Sequence, residues 1–141
     1  MNKRGPIIFI EDDTDDQEVI AEVYAELDCT NEIIFFSEAE KALEFLTETK
    51  IKPFIIFSDI NMPRLSGLEL RDKVRENKAL EIKSIPYLFF TTSAEQQYVI
   101  DAYSKSIQGF FVKPSNYTEL KKVLTVIINY WQHCVSPEYT G

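Results

Sequence analysis

The sequence predicts an α/β domain with a five-stranded parallel sheet and helices on both faces. Three observations carry that prediction. Short apolar runs alternate along the chain with amphipathic stretches. The runs are continuous in β-branched and aromatic residues instead of alternating with polar ones. Helix-start signals stand in the gaps between them. Strands covered on both faces read as unbroken apolar runs, and strict alternation with helices gives right-handed crossovers and a parallel sheet.

The candidate strands are residues 7–10, 33–36, 54–57, 87–90 and 110–112. Between them the apolar residues fall at helical spacing. Val19, Ile20, Val23, Tyr24 and Leu27 share one helix face, as do Ala39, Ala42, Leu43 and Leu46. Leu120, Val123, Leu124, Ile127, Ile128 and Trp131 form the strongest such stripe, near the end of the chain. The stretches around Leu68 to Val74 and Val99 to Tyr103 complete a set of five helices. A small polar residue followed three positions later by Glu or Gln marks a capping box. Thr14 with Gln17, Ser37 with Glu40, Ser66 with Glu69 and Ser93 with Gln96 fit it, and Asn116 with Glu119 is a looser version. Ile100, Tyr103 and Ile107, near the fourth helix, are read as a partner surface or as ordinary core, with core favoured for at least half of them.

The chain has 141 residues, of which 45% are hydrophobic, enough for one domain with a real core. The domain is expected to span residues 1–134, with 135–141 a frayed tail and no output domain after it. The net charge is −8, from 15 basic and 23 acidic residues, which argues against a nucleic-acid surface. No apolar stretch approaches the ~20 residues that cross a bilayer. The run at 7–10 is cut short by Glu11, Asp12 and Asp13, so it is no signal peptide. The only cysteines, Cys29 and Cys134, make no metal-ligand spacing and point to a reducing, cytoplasmic setting. His133 beside Cys134 reads as a helix-end histidine.

In open parallel sheets, sites form beyond the carboxyl ends of the strands, where the strand order reverses. Strand one runs into Glu11, Asp12 and Asp13; strand three into Asp59; strand four into Thr91; strand five into Lys113. Carboxylates crowded together repel and raise one another's pKa unless a cation is present. Mg²⁺ prefers such oxygen ligands. A carboxylate is also a nucleophile toward phosphorus, and a lysine and a hydroxyl can offset charge on a transferring phosphoryl group. Taken singly, each residue has a plainer reading. Asp15 and Asp16 are assigned to the helix dipole, Lys113 alone would be a surface lysine, and Thr91 alone would bond to backbone. Their joint placement favours the chemical reading.

At these residues the sequence resembles the response-regulator receiver domains over nearly its whole length. Glu11 and Asp12 match the family's acidic pair. Ser58, Asp59, Ile60, Asn61, Met62 and Pro63, with Gly67 following, match its phosphorylation loop. Thr91, Phe110 and the Lys113–Pro114 pair fall on its remaining signature positions. The resemblance implies a flavodoxin-like three-layer α/β/α fold of strand order 2-1-3-4-5. It implies that Asp59 takes a phosphoryl group from a histidine kinase, a histidine phosphotransfer protein or a small phosphodonor. Asp12, Asp59 and the backbone carbonyl of Asn61 would bind Mg²⁺, with Glu11 nearby or acting through water. Lys113 and Thr91 would contact the phosphoryl group. Thr91 and Phe110 would act as the switch, and the Lys113–Pro114 peptide would be cis. The surface made by the fourth helix, fifth strand and fifth helix would change, signalling through protein–protein contacts without nucleic acid or membrane. Phe110 has no hydroxyl where the family often has Tyr. A phosphohydrolase with an aspartate nucleophile would need a second Asp at the position of Asn61, which cannot serve as its general acid. A pseudo-receiver that only binds partners is disfavoured because every acceptor and metal position is filled.

Overall fold

The structure is a computed structural model, and it describes residues 1–92 and 95–137. The strands are β1 (Ile7–Ile10), β2 (Ile33–Phe36), β3 (Ile55–Ser58), β4 (Tyr87–Thr91) and β5 (Gly109–Val112). They form one sheet in the order β2-β1-β3-β4-β5, and every pairing is parallel. The helices are α1 (Thr14–Ala25), α2 (Ala39–Glu48), α3 (Gly67–Glu76), α4 (Lys78–Glu81), α5 (Gln96–Ser104) and α6 (Tyr117–His133). This is the flavodoxin-like class, with one helix more than the sequence predicts.

The period-two alternation of side chains along a strand sorts the apolar runs into two cores. Ile8, Ile10, Ile56, Tyr87 and Phe89 face α2, α3 and α5. Ile7, Phe9, Ile55, Phe57, Leu88 and Phe90 face α1 and α6. On the second face Phe9 and Phe57 stack at 4.4 Å, with Phe90 edge-on to Phe57 at 6.0 Å. The central strands β1, β3 and β4 are buried throughout, as continuous apolar runs require. β2 and β5 are edges and only half-buried.

Several local expectations change. The extra helix α4 is a single turn, too short for a 3.6-residue period to reveal. The Asn77 side chain accepts from the backbone N–H of Leu80 at 3.2 Å, and buried Leu80 anchors the turn. Asp13, not Thr14, caps α1, because its carboxylate accepts from the N–H groups of Asp15 at 2.9 Å and Asp16 at 3.1 Å. Ser37 does not cap α2; the cap residue is Glu38, whose side chain makes no capping hydrogen bond to the helix. Its hydroxyl accepts instead from Gln17 at 3.2 Å, joining the loops after β1 and β2. The Ser66–Glu69 capping box forms in full, and Asn116 caps α6 through the N–H of Glu119. Ser93 lies outside the described residues. Ile107 is core, but Ile100 and Tyr103 are 52% and 53% exposed, because the buried stripe of α5 reduces to Ala102.

Ser136 donates its hydroxyl to the carbonyl of Met1, and Met1 itself is buried. His133 sits exposed in the last turn of α6, with Nδ1 2.7 Å from the carbonyl of Asn129. Among the described residues, no helix is long and apolar enough to cross a membrane.

α6 is the longest helix and closes the aromatic face, so the fold depends on its inward stripe. Leu124 is fully buried there. Leu124→Ala is expected to lower the unfolding free energy by about 2–5 kcal/mol through lost transfer energy and a residual cavity. Urea denaturation followed by circular dichroism measures this. A change below about 1 kcal/mol would place the core elsewhere.

Candidate functional site

The strand order reverses between β1 and β3, which lie side by side although β2 follows β1 in sequence. The residues just past these strands are held by the sheet itself. The N–H of Glu11 donates to the carbonyl of Phe36 at 2.9 Å, that of Asp59 to Ile10 at 3.0 Å, and that of Lys113 to Thr91 at 2.8 Å. Each chemical side chain therefore leaves from backbone still bonded into the ladder.

The structure brings Glu11, Asp12 and Asp59 together: one carboxylate oxygen from each lies within 4.8 Å of the others. Glu11 is 2% exposed and Asp59 9%, while Asp12 sits exposed at the rim. Asp59 Oδ1 accepts from the N–H of Ile60 at 2.7 Å. Its carboxylate also takes a hydrogen bond from the Thr91 hydroxyl, and Thr91 is 1% exposed. Burial, and then the charge of Asp12, push the Asp59 carboxyl above its ordinary range; the bonds from Thr91 and Ile60 oppose this.

Lys113 reaches this acid from the far side of β4. Its ammonium pairs with Glu11 Oε1, and lies 3.1 Å from Asp16 Oδ2 and 3.4 Å from Asp59 Oδ2. Its side chain is only 9% exposed. Burial pushes the ammonium down to about 8, while the surrounding carboxylates favour the charged form. In this arrangement Lys113 is the one cation that the described residues place among these acids.

Asp16 is the residue that sequence reasoning assigned to the helix dipole and that the structure places against Lys113. Burial, then the charge of Asp13, raise its carboxyl. A usable signal existed. Asp16 stands four residues before Ile20, which is buried, so the helix period puts both on the sheet-facing stripe.

The loop after Asp59 is fixed on both sides. Ile60 and Met62 are buried anchors, with Asn61 exposed between them. Arg64 has a φ of 67° and pairs with Glu38 at 3.0 Å and Glu40 at 2.8 Å. Gly67 passes so close to the loop that a Cβ on it would stand 2.0 Å from the carbonyl oxygen of Asp59. Phe110 is half-buried, its ring centroid 6.1 Å from that of Phe89. The Lys113–Pro114 peptide is trans, against the cis form predicted: no cis peptide occurs among the described residues. The trans form is intrinsically favoured for X–Pro bonds, and here it coexists with Lys113 reaching the acids.

Parallel β2-β1-β3-β4-β5 order with acids and a lysine at the switch point defines a class of protein. Residues 7–125 match the response regulator receiver domain, and the chain belongs to that family of signalling domains. It is 27% identical over 135 residues to response regulator Rcp1 of Synechocystis sp., covering 92% of this chain and 90% of that protein. It is 27% identical over 128 residues to chemotaxis protein CheY-3 of Vibrio cholerae, covering 90% and 94%. Among solved structures, the Mn(2+)-bound form of response regulator Rcp1 superposes with a TM-score of 0.81 at 25% identity, covering 94% of this chain and 99% of that one. The phosphorylated cyanobacterial phytochrome response regulator RcpA shares the fold, with a TM-score of 0.85 at 21% identity, covering 94% and 98%.

The tight passage of Gly67 can be tested directly. Gly67→Ala must displace the carbonyl of Asp59, and overpacking of this kind costs about 1–3 kcal/mol. The variant is expected to lose that much stability in thermal or urea unfolding. Unchanged stability would mean the loop gives way without cost.

Proposed function

We propose that Asp59 is the phosphoacceptor of this receiver domain, in a Mg²⁺-dependent reaction whose result is passed on by protein–protein contacts. The observation that carries the reading is the company Asp59 keeps. Two carboxylates, a buried lysine and a buried hydroxyl converge on its carboxylate.

The donor set fits the metal. Glu11, Asp12 and Asp59 offer hard oxygen ligands clustered within 4.8 Å of one another, as Mg²⁺ prefers. Asp12, Asp59 and the backbone carbonyl of Asn61 would hold it, with Glu11 nearby or through water. When bound, Mg²⁺ supplies charge neutralisation for the transferring phosphoryl group.

The chain's own residues do the rest. An oxygen of Asp59 attacks phosphorus; the new P–O bond forms as the bond to the donor breaks, and the donor keeps the electron pair. Asp59 attacks as the carboxylate, so it needs no general base. Lys113 lies 3.4 Å from Asp59 and needs only a short reorientation to meet a phosphoryl oxygen. Thr91 exchanges its bond to the carboxylate for one to the phosphoryl group. Phe110 then turns into the space beside Thr91, altering the surface of α5, β5 and α6. Ile100, Tyr103, Val112 and Tyr130 stand exposed on those elements.

A histidine kinase or a histidine phosphotransfer protein fits as donor. The net charge of −8 speaks against nucleic acid as a partner. Asn61 in place of a second acid speaks against a phosphohydrolase.

Incubation with Mg²⁺ and acetyl phosphate is expected to raise the intact mass by about 80 Da, one phosphoryl group. Asp59→Asn should abolish the gain. No gain with acetyl phosphate or any candidate kinase would remove the proposal. For the metal, Asp12→Ala is expected to weaken Mg²⁺ binding by more than about tenfold in calorimetric titration. Affinity equal to wild type would mean the metal is held elsewhere.

A further inference from the structure

The core beneath α2, α3 and α5 holds two side chains that its apolar character does not require. Tyr87 is 0% exposed and Arg71 is 8% exposed. They are in contact: the Arg71 guanidinium carbon sits 5.1 Å from the centroid of the Tyr87 ring. A buried charge or hydroxyl is tolerated only where its hydrogen bonds are met. The partners of this pair therefore show what it holds together.

At the upper end the partners belong to the Asp59 loop. The Tyr87 hydroxyl lies 3.4 Å from the carbonyl of Gly67, to which it donates. The single hydrogen of the Ser58 hydroxyl is shared between the Tyr87 oxygen and the carbonyl of Asp59 itself, 2.8 Å away. At the lower end the partners belong to the corner between α5 and β5. Arg71 Nε donates to the carbonyl of Lys105 at 3.0 Å, and Nη2 to that of Ser106 at 2.7 Å. Gln108 Nε2 donates to the same Ser106 carbonyl at 3.0 Å, while its amide oxygen accepts from the N–H of Tyr87 at 2.7 Å. Ser106 has a φ of 58°, the left-handed region that a non-glycine residue occupies only when its surroundings impose it. Two residues after Gln108 comes Phe110.

We propose that Tyr87 and Arg71 are positioning residues that join the Asp59 loop to the Ser106 corner, so that a change at Asp59 is felt ahead of Phe110. The inference rests on the acceptor reading of Asp59. Ring and guanidinium are both planar and stiff, and they sit in a close-packed core that transmits displacement instead of absorbing it. The Ser106 corner is the strained link, a non-glycine residue in the left-handed region just past the end of α5. Its left-handed backbone is held by Arg71 and Gln108 and can relax when that grip loosens. This route runs through the core between the sheet and α3, apart from the path by way of Thr91.

The test uses the full chain with Mg²⁺ and beryllofluoride, a stand-in for the phosphoryl group. Native mass spectrometry gives its uptake and hydrogen–deuterium exchange gives the response. In the wild type, uptake is expected to change the exchange of residues 105–110. Tyr87→Phe keeps the ring over Arg71 and removes only the hydroxyl. It is expected to take up the probe and to melt near the wild type, yet to lose the response at 105–110 while keeping that of the Asp59 loop. Arg71→Gln, too short to reach Ser106, should do the same and decides the matter if Tyr87→Phe does not fold. A wild-type response at 105–110 in the folded variants overturns the coupling and leaves the acceptor reading intact. So does wild-type uptake with no response there. Failure of both variants to fold would make the pair purely structural and overturn it too. Failure of the wild type to take up the probe would reject the acceptor reading, and the coupling with it.

Discussion

The structure turns on the concentration of carboxylates at one end of the sheet. Glu11 and Asp59 are buried beside each other, with Asp12 at their rim. Like charges that close, removed from water, resist ionisation unless a cation is near. The chain supplies one in Lys113, which is itself nearly buried. Burial raises the Asp59 carboxyl and lowers the Lys113 ammonium, and placing the two side by side offsets both costs. Together they give a site that is polarised and still has hydrogen-bonding capacity to offer a ligand.

The strand order follows from the same demand. β1 and β3 must be neighbours so that Glu11 and Asp59 leave from adjacent carboxyl ends. β5 must lie two places beyond β3, so that a side chain as long as lysine spans the distance over β4. β4 contributes the shorter Thr91 in between. The apolar runs make this placement rigid. Phe9 and Phe57 stack on one face, and Ile8, Ile10 and Ile56 fill the other. The backbone from which the acids leave is thus pinned from above and below. Gly67 adds a further constraint, since only a residue without Cβ lets α3 start so close to the carbonyl of Asp59.

The legible part of the molecule was the part governed by local rules. The apolar runs located all five strands, because burial on both faces leaves no polar alternation to confuse them. The capping box at Ser66 and Glu69 formed in full because both of its bonds are local. Other start signals gave way to tertiary partners: Ser37 accepts from Gln17, and Glu40 is engaged by Arg64. The single turn at α4 had no period to detect. Asp16 does stand in the first turn of α1, as a dipole role requires, and that role is a property of position along the helix. Its pairing with Lys113 depends on which way the helix is rotated against the sheet.

By itself the sequence determined the strand and helix alternation, the acids at the ends of strands one and three, and the hydroxyl and lysine at strands four and five. These follow from residue type and spacing, which act over a few neighbours. Only the tertiary structure decided that Lys113 rests on Glu11 and Asp16 as well as Asp59, that its peptide to Pro114 is trans, and that Arg71 and Tyr87 meet inside an apolar core. The side-chain contacts among these bring together residues far apart in the chain, where side-chain direction and helix rotation decide the outcome. Such contacts are set by the packing of whole elements, which local spacing does not encode.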